Sequence, residues 1–327
     1  MIKLAISLLC IAALNLPAQE AGSLKLIRTI MLPGIKGRFD HFGVDVKGNR
    51  VFVAALGNNS VEVIDTAEGT HIKSIGSLHK PTGIVHLREM NRLAVANGDD
   101  GTLKTFDSKS YTLVNSLSSL DDADNIRFDP KRKLIYAGYG SGSLALVDSV
   151  TMKQRTSIKL AAHPESFQLE KEGDRIFVNV PDAKRITVID RQTQKVIAEW
   201  PMNKYQGNFP MALDESNNRL FVGCRNPATL VVIDTSNGRV VSDIPIHGDT
   251  DDLFHDSRLK RIYISCGEGF IDVVEQKTPD AYNLRDRVTT RAGARTSFFC
   301  PETNEFYLAV PMRDKASAEL RVFSPRN

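Results

Sequence analysis

The side chains best able to do chemistry in this 327-residue chain stand in seven short segments, spaced 41–44 residues apart. They are Asp40-His41, Thr82-Gly83, Asp124-Asn125, His163 with Glu165-Ser166, Asn208-Phe209-Pro210, Asp251-Asp252 and Arg295-Thr296-Ser297. Each leads into a short apolar run, so each holds the same place in a repeating unit. Carboxylates, imidazoles and amide oxygens are ligands of divalent cations, oxygen-rich sets suiting calcium and mixed nitrogen–oxygen sets suiting zinc. Brought together, Asp40, Asp124, Glu165, Asp251 and Asp252 would repel one another and raise one another's pKa unless a cation or an arginine compensates. With Arg295 as the only arginine among the seven segments, a strongly negative site is expected. Asp40, His41, Asp124, Glu165, Asp251 and Asp252 are therefore a candidate site for calcium or zinc. Asn125, His163 and Arg295 extend it to a candidate site for a small ligand. No residue is assigned a catalytic role. The competing reading is structural: such residues also tie neighbouring loops together or face solvent, and His163 before Pro164 suits a plain turn. Adjacent Asp251 and Asp252, inside GDTDDLF, have no evident packing use.

What must position these residues is a repeat. Units begin at Asn49 (NRVFVAALGNNSVEVID), Asn91, Arg132, Asp174, Asn218 (NRLFVGCRNPATLVVID), Lys260 and Asn304. Each holds two runs rich in Val, Ile, Phe and Tyr separated by Gly, Asn, Asp or Pro, which reads as strand, hairpin, strand. After Asp65, Asp107, Asp148, Asp190 and Asp234 most units turn (TAEGT, RQTQK, TSNGR) into a third strand such as HIKSI or KVIAEW. The apolar run ahead of each unit, such as FGVD or NIRFD, supplies a fourth. Four antiparallel strands per period is the length of a propeller blade. A lone four-stranded sheet leaves both faces bare, and stacking in a ring covers them without long open edges. The expectation is an all-β, seven-bladed β-propeller spanning 19–327 as one domain. The seventh unit ends at Phe323-Ser324 with no fourth strand, while Leu26 to Leu32 (LIRTIML) is a strand without a blade. It is predicted to complete the last blade and close the ring. The seven chemical segments then converge on one mouth of the axial channel.

The remaining sequence narrows the class. Residues 1–18, MIKLAISLLCIAALNLPA, have the basic, apolar and small-residue order of a secretory signal peptide, so an exported protein, periplasmic or secreted, is expected. The apolar run is too short for a membrane span. Forty-two Lys and Arg against 39 Asp and Glu give a net charge of +3, too balanced to suggest nucleic-acid binding. Of the four cysteines, Cys10 lies in the expected signal peptide; Cys224, Cys266 and Cys300 would remain, an odd number, and read as small buried hydrophobes. His86 and His255 read as partnered core residues, and His71, His79 and His247 as surface. No GxSxG elbow, HExxH helix or GxGxxG turn is present.

The pattern Tyr/Phe-Val-x-x, a small-residue hairpin, Val-x-Val-Ile-Asp-Thr and Val-hydrophobic-x-x-Ile resembles the YVTN-repeat, YncE-like β-propeller family. VFVAALGNNSVEVIDTAEGTHIKSI (Val51 to Ile75) is its best copy, and the sixth and seventh units lack the Asp-Thr. The resemblance implies an exported propeller and leaves the activity undefined. The reading is a monomeric binding or interaction module with a polar, acidic axial pocket for a small molecule, a cation or a protein partner. The alternative is a lactonase-like hydrolase or isomerase acting on a sugar acid or lactone at the mouth, by analogy of fold.

Overall fold

The computed structural model describes residues 22–327, so the signal peptide expected at 1–18 falls outside the described residues. Seven four-stranded antiparallel sheets follow one another along the chain and close into a ring. The first blade pairs Phe42–Asp45, Arg50–Ala55, Ser60–Asp65 and Thr70–Ile75 in sequence order. The third uses Ile126–Asp129, Leu134–Tyr139, Ser143–Asp148 and Gln154–Lys159. The seventh takes Thr296–Cys300, Glu305–Val310 and Ala318–Pro325 from one end of the chain and Leu24–Leu32 from the other. That last pairing runs antiparallel from Leu24 opposite Pro325 to Leu32 opposite Ala318. The Ser23 carbonyl also accepts the Arg326 N–H. The ring is therefore closed by the N-terminal strand, and no α-helix occurs among the described residues. None of the described helical turns is long and apolar enough to cross a membrane.

The first strands of successive blades touch all the way round, which makes them the innermost layer. The second and third strands are almost wholly buried and apolar, because both faces of each sheet are covered by neighbouring blades. Seven apolar clusters result, one at each blade–blade interface. Cys224, Cys266 and Cys300 lie fully buried as free thiols in three of them. The aspartate that ends the third strand in the first five blades caps the turn that follows. Asp65 accepts the Glu68 N–H at 2.9 Å, Asp148 that of Thr151 at 2.8 Å and Asp190 that of Thr193 at 2.7 Å. Asp and Asn favour such turns because a short side chain can bond backbone two or three residues on. The repeat's recurrent aspartate is thus a turn former.

A second set of acids ends the inner strands and ties blades together. Asp129 holds Arg132 of its own blade and Arg191 of the next, and Asp214 accepts Gln276 across an interface. The structure differs from the sequence reading at two outer histidines. His71 pairs with fully buried Glu62 at 2.7 Å. His247 stacks on Phe270 at 3.8 Å and bonds fully buried Asp272 through Nδ1 at 2.8 Å. Glu62 and Asp272 hold the same place in third strands three residues before the repeat-ending acid, where a buried carboxylate needs a partner. His79 is exposed, as read. His86 and His255 pack on Phe52 and Phe221, with Asp45 and Asp214 3.8 and 3.9 Å from their rings.

Candidate functional site

Because each chemical segment leads into an innermost strand, closure of the ring carries all seven to one end of the channel. There Arg38, Asp40, His41, Asp124, Asn125, Glu165, Ser166, Phe209, Arg225, Asp251 and Arg295 enclose a cavity of about 170 Å³. Asp124 is placed by its own blade, its N–H donating to Gly138 while Gly138 donates to Asn125. Two groups of possible ligand atoms share it. Asp40, His41 and Asp124 form one, and Asp124, His163 and Glu165 the other, with the ligand atoms of each group within 4.8 Å of one another. Asn125, 1% exposed, lies beside them with an Oδ1 that has no hydrogen-bond partner.

Asp251 and Asp252 join neither group. A bulge between Thr250 and Asp252 sends these adjacent carboxylates to different partners. Asp251 is clamped by Arg225 and by Arg295, whose Nε lies 3.1 Å away. Buried Asp252 accepts the Ser297 N–H at 2.8 Å and stands 3.4 Å from His41 Nδ1. The pair therefore braces the sixth and seventh blades against their neighbours. Arg295 also bonds Asp249. His163 is held through Nδ1 by the Gly140 carbonyl at 2.6 Å, a turn contact, while its ring still faces Asp124.

The site is not the strongly negative funnel expected from the segments. Two arginines that the sequence reading passed over, Arg38 and Arg225, line it with Arg295. Arg38 lies 3.8 Å from Asp40. Arg225 ends the second strand of the fifth blade, Arg219–Asn226, and its guanidinium sits 3.8 Å from the centre of the Phe209 ring. The usable signal was the antiparallel hairpin itself: a second strand returns to the mouth from which the first departed. Residues at its far end reach the site too.

Burial dominates the titration of the acids that remain. It pushes the Asp40 carboxyl up to about 7, opposed by His41 and reinforced by Asp124 and Asp251. Burial likewise pushes Glu165 up to about 8, with Asp124 adding to it. Burial alone would lower His41, but Asp40 and Asp252 outweigh it and raise the imidazole to about 10. Asp124 raises His163 to about 9, and at 4.0 Å from Nε2 this is attraction between charges rather than a formed hydrogen bond. Asp124 itself is held below the usual carboxylate range, its burial outweighed by the two imidazoles. Burial raises Asp251 too, against the pull of Arg295 and Arg225, so the mouth holds three carboxyls shifted upward beside two strongly basic imidazoles, around the ionised Asp124.

Fold and cavity together define the class: a closed seven-bladed β-propeller with a polar axial pocket. Comparison with protein-family profiles and with curated protein sequences returns no match. Among solved structures the chain is similar to a chain of the hydrazine synthase of Kuenenia stuttgartiensis, at 16% identity and a TM-score of 0.74, over 85% of this chain and 95% of that one. It is also similar to a chain of a mitotic checkpoint complex, at 14% identity and a TM-score of 0.77, over 100% of this chain and 99% of that one. At such identities the likeness speaks for the fold.

Proposed function

We propose that this chain is an exported binding propeller, periplasmic or secreted, of the YVTN-repeat, YncE-like kind, whose axial mouth takes a divalent cation and through it a small polar ligand. The observation that carries the reading is the pair of ligand groups meeting at Asp124, with the unpartnered Asn125 Oδ1 beside them. Imidazole with carboxylate suits zinc better than calcium, whose sites are built from oxygen alone. Arg38 is the exposed cation of the rim and can meet an anionic group on the ligand. Export rests on the leader-like residues 1–18 and the family on the repeat motif.

The test is metal analysis of the purified mature protein, followed by zinc, manganese and calcium titrations by calorimetry on the chelator-treated protein. Zinc should bind, and Asp124→Asn should weaken it at least tenfold. A metal-free protein whose melting temperature ignores both millimolar divalent ions and chelator would end the reading. The hydrolase or isomerase alternative draws on Glu165, which at about 8 can give or take a proton near neutrality beside His163. Turnover of a lactone panel that Glu165→Gln abolishes would favour it over simple binding.

A further inference from the structure

Beyond the mouth the axial channel widens into a second cavity of about 610 Å³ whose walls are of the opposite character. Phe42, Phe128, Phe254 and Phe298 give it a largely apolar wall, with Asp252 and His41 at the side toward the mouth and Lys171 on the other. Into this apolar space the first strand of the third blade projects a single guanidinium, that of Arg127. It lies over the Phe167 ring, 5.5 Å from its centre. Its Nη1 donates to the carbonyl of the preceding residue, Ile126, at 2.9 Å. Among the described residues it forms no ion pair. Asp252 and Asp124 act on it only from a distance. This is unlike Arg50, Arg132, Arg175, Arg191 and Arg261, which are spent on carboxylates or carbonyls between blades.

A guanidinium carries five N–H donors in a planar fork that matches a carboxylate, and it stays charged in proteins. Keeping such a charge in a largely apolar cavity with carboxylates only at a distance is costly, and an anion seated on the fork removes that cost. The cavity also has an approach of its own. A neighbouring space of about 430 Å³ between the third and fourth blades shares Arg127, Phe128, Gln168 and Lys171 with it. That space lies at the far ends of the inner strands, on the side away from the acidic mouth, where Lys171 stands beside Lys131, itself 3.9 Å from Glu172.

We infer that the channel is a binding site for a monocarboxylate with an apolar body, its carboxylate on Arg127 and its hydrocarbon against the phenylalanine walls. The size is that of ordinary small-molecule pockets, mostly apolar with a few convergent polar groups. The cavity adjoins the cation mouth, His41 and Asp252 lying in its lining, but Arg127 belongs to neither ligand group and the assignment stands whether or not the mouth takes a metal.

Calorimetric titration of the mature protein with octanoate, octanamide, 3-phenylpropionate and acetate tests it. Octanoate and 3-phenylpropionate should bind at least tenfold more tightly than octanamide, and acetate far more weakly than either. Arg127→Gln should erase the preference for carboxylate over amide, whereas Arg127→Lys should keep part of it. Asp124→Asn should weaken zinc binding at least tenfold without weakening octanoate binding. Octanamide equal to octanoate on the unaltered protein would overturn the inference without recourse to any variant. So would acetate binding as tightly as octanoate, or carboxylate preference persisting in Arg127→Gln. Loss of octanoate binding in Asp124→Asn would move the ligand to the mouth and overturn the channel assignment.

Discussion

Leu32 is the place to test whether the ring is closed in solution. Its side chain is fully buried, in the cluster where Ile30 and Leu320 of the seventh blade meet Val51 and Val53 of the first. Leu32→Ala removes that packing and leaves a cavity, a change that costs about 2–5 kcal/mol in well-packed cores. The unfolding entropy of a globular chain is about 2.1 cal/mol/K per residue, so roughly 300 ordered residues give ~0.6 kcal/mol per degree. The melting temperature should therefore fall by about 3–8 °C. Leu26, on the same strand, is 48% exposed and supplies the control. Leu26→Ala should move the midpoint by less than about 1 °C, since surface changes stay within about 0.5 kcal/mol. Both variants are read by scanning calorimetry at one protein concentration. Equal shifts in the two would mean that the strand is not docked in solution and would refute the closure argument. Deleting 23–32 outright should cost several kcal/mol, because a paired strand is lost and the edge of Ala318–Pro325 is laid bare.

Four further expectations follow from particular side chains. Asp124→Asn should abolish the rise in melting temperature that zinc produces, because Asp124 belongs to both ligand groups. The Glu62 carboxylate raises the His71 imidazole, so this histidine's contribution to stability is full below its unfolded value near 6.5 and fades as pH rises through the higher folded value. The difference in melting temperature between the unaltered protein and His71→Gln should accordingly shrink on the alkaline side, and a constant difference would contradict it. Arg225→Ala should destabilise the protein by about 1–3 kcal/mol, since half-buried Asp251 keeps only Arg295 and the Phe209 face is uncovered; a urea midpoint equal to that of the unaltered protein would count against the clamp. Burial raises all three thiols, Cys224 to about 12, so a thiol reagent at pH 8 should label none of them until denaturant is added.

The architecture was readable because every level of the sequence repeats the same instruction. Val, Ile and Phe fill the middle strands, an aspartate closes the third strand of five blades, and the spacing never departs far from 42 residues. The unpaired strand at Leu24–Leu32 and the blade short of one strand could be matched for the same reason. The mouth was legible only in part, since register along an inner strand is visible in a repeat but local geometry is not. The bulge after Thr250 separates two acids that are neighbours in sequence and spends both on braces. Arg225 and Arg38 were missed because they approach from a returning strand and from earlier in a loop. The Glu62–His71 and Asp272–His247 pairs escaped notice because a polar residue inside a third strand breaks the repeat consensus without naming its partner. Arg127 shows the converse: it keeps the alternation of NIRFD, yet what surrounds it is decided by blades far away in sequence.

The seam in the seventh blade also sets the order in which the molecule can assemble. Six blades are contiguous hairpins whose partners lie within some forty residues, so each can form while the chain is still lengthening. The seam joins segments roughly 300 residues apart, by far the longest-range pairing in the fold. Loop-closure entropy must be met before such a contact repays it, and topologies dominated by distant pairing fold slowly. Leu24–Leu32 is therefore made first and placed last, and until it docks the strand Ala318–Pro325 presents a bare row of backbone donors and acceptors. Two such unfinished rings can trade their first strands, each completing the other, so the same seam that makes one chain a closed ring offers a route to an exchanged dimer.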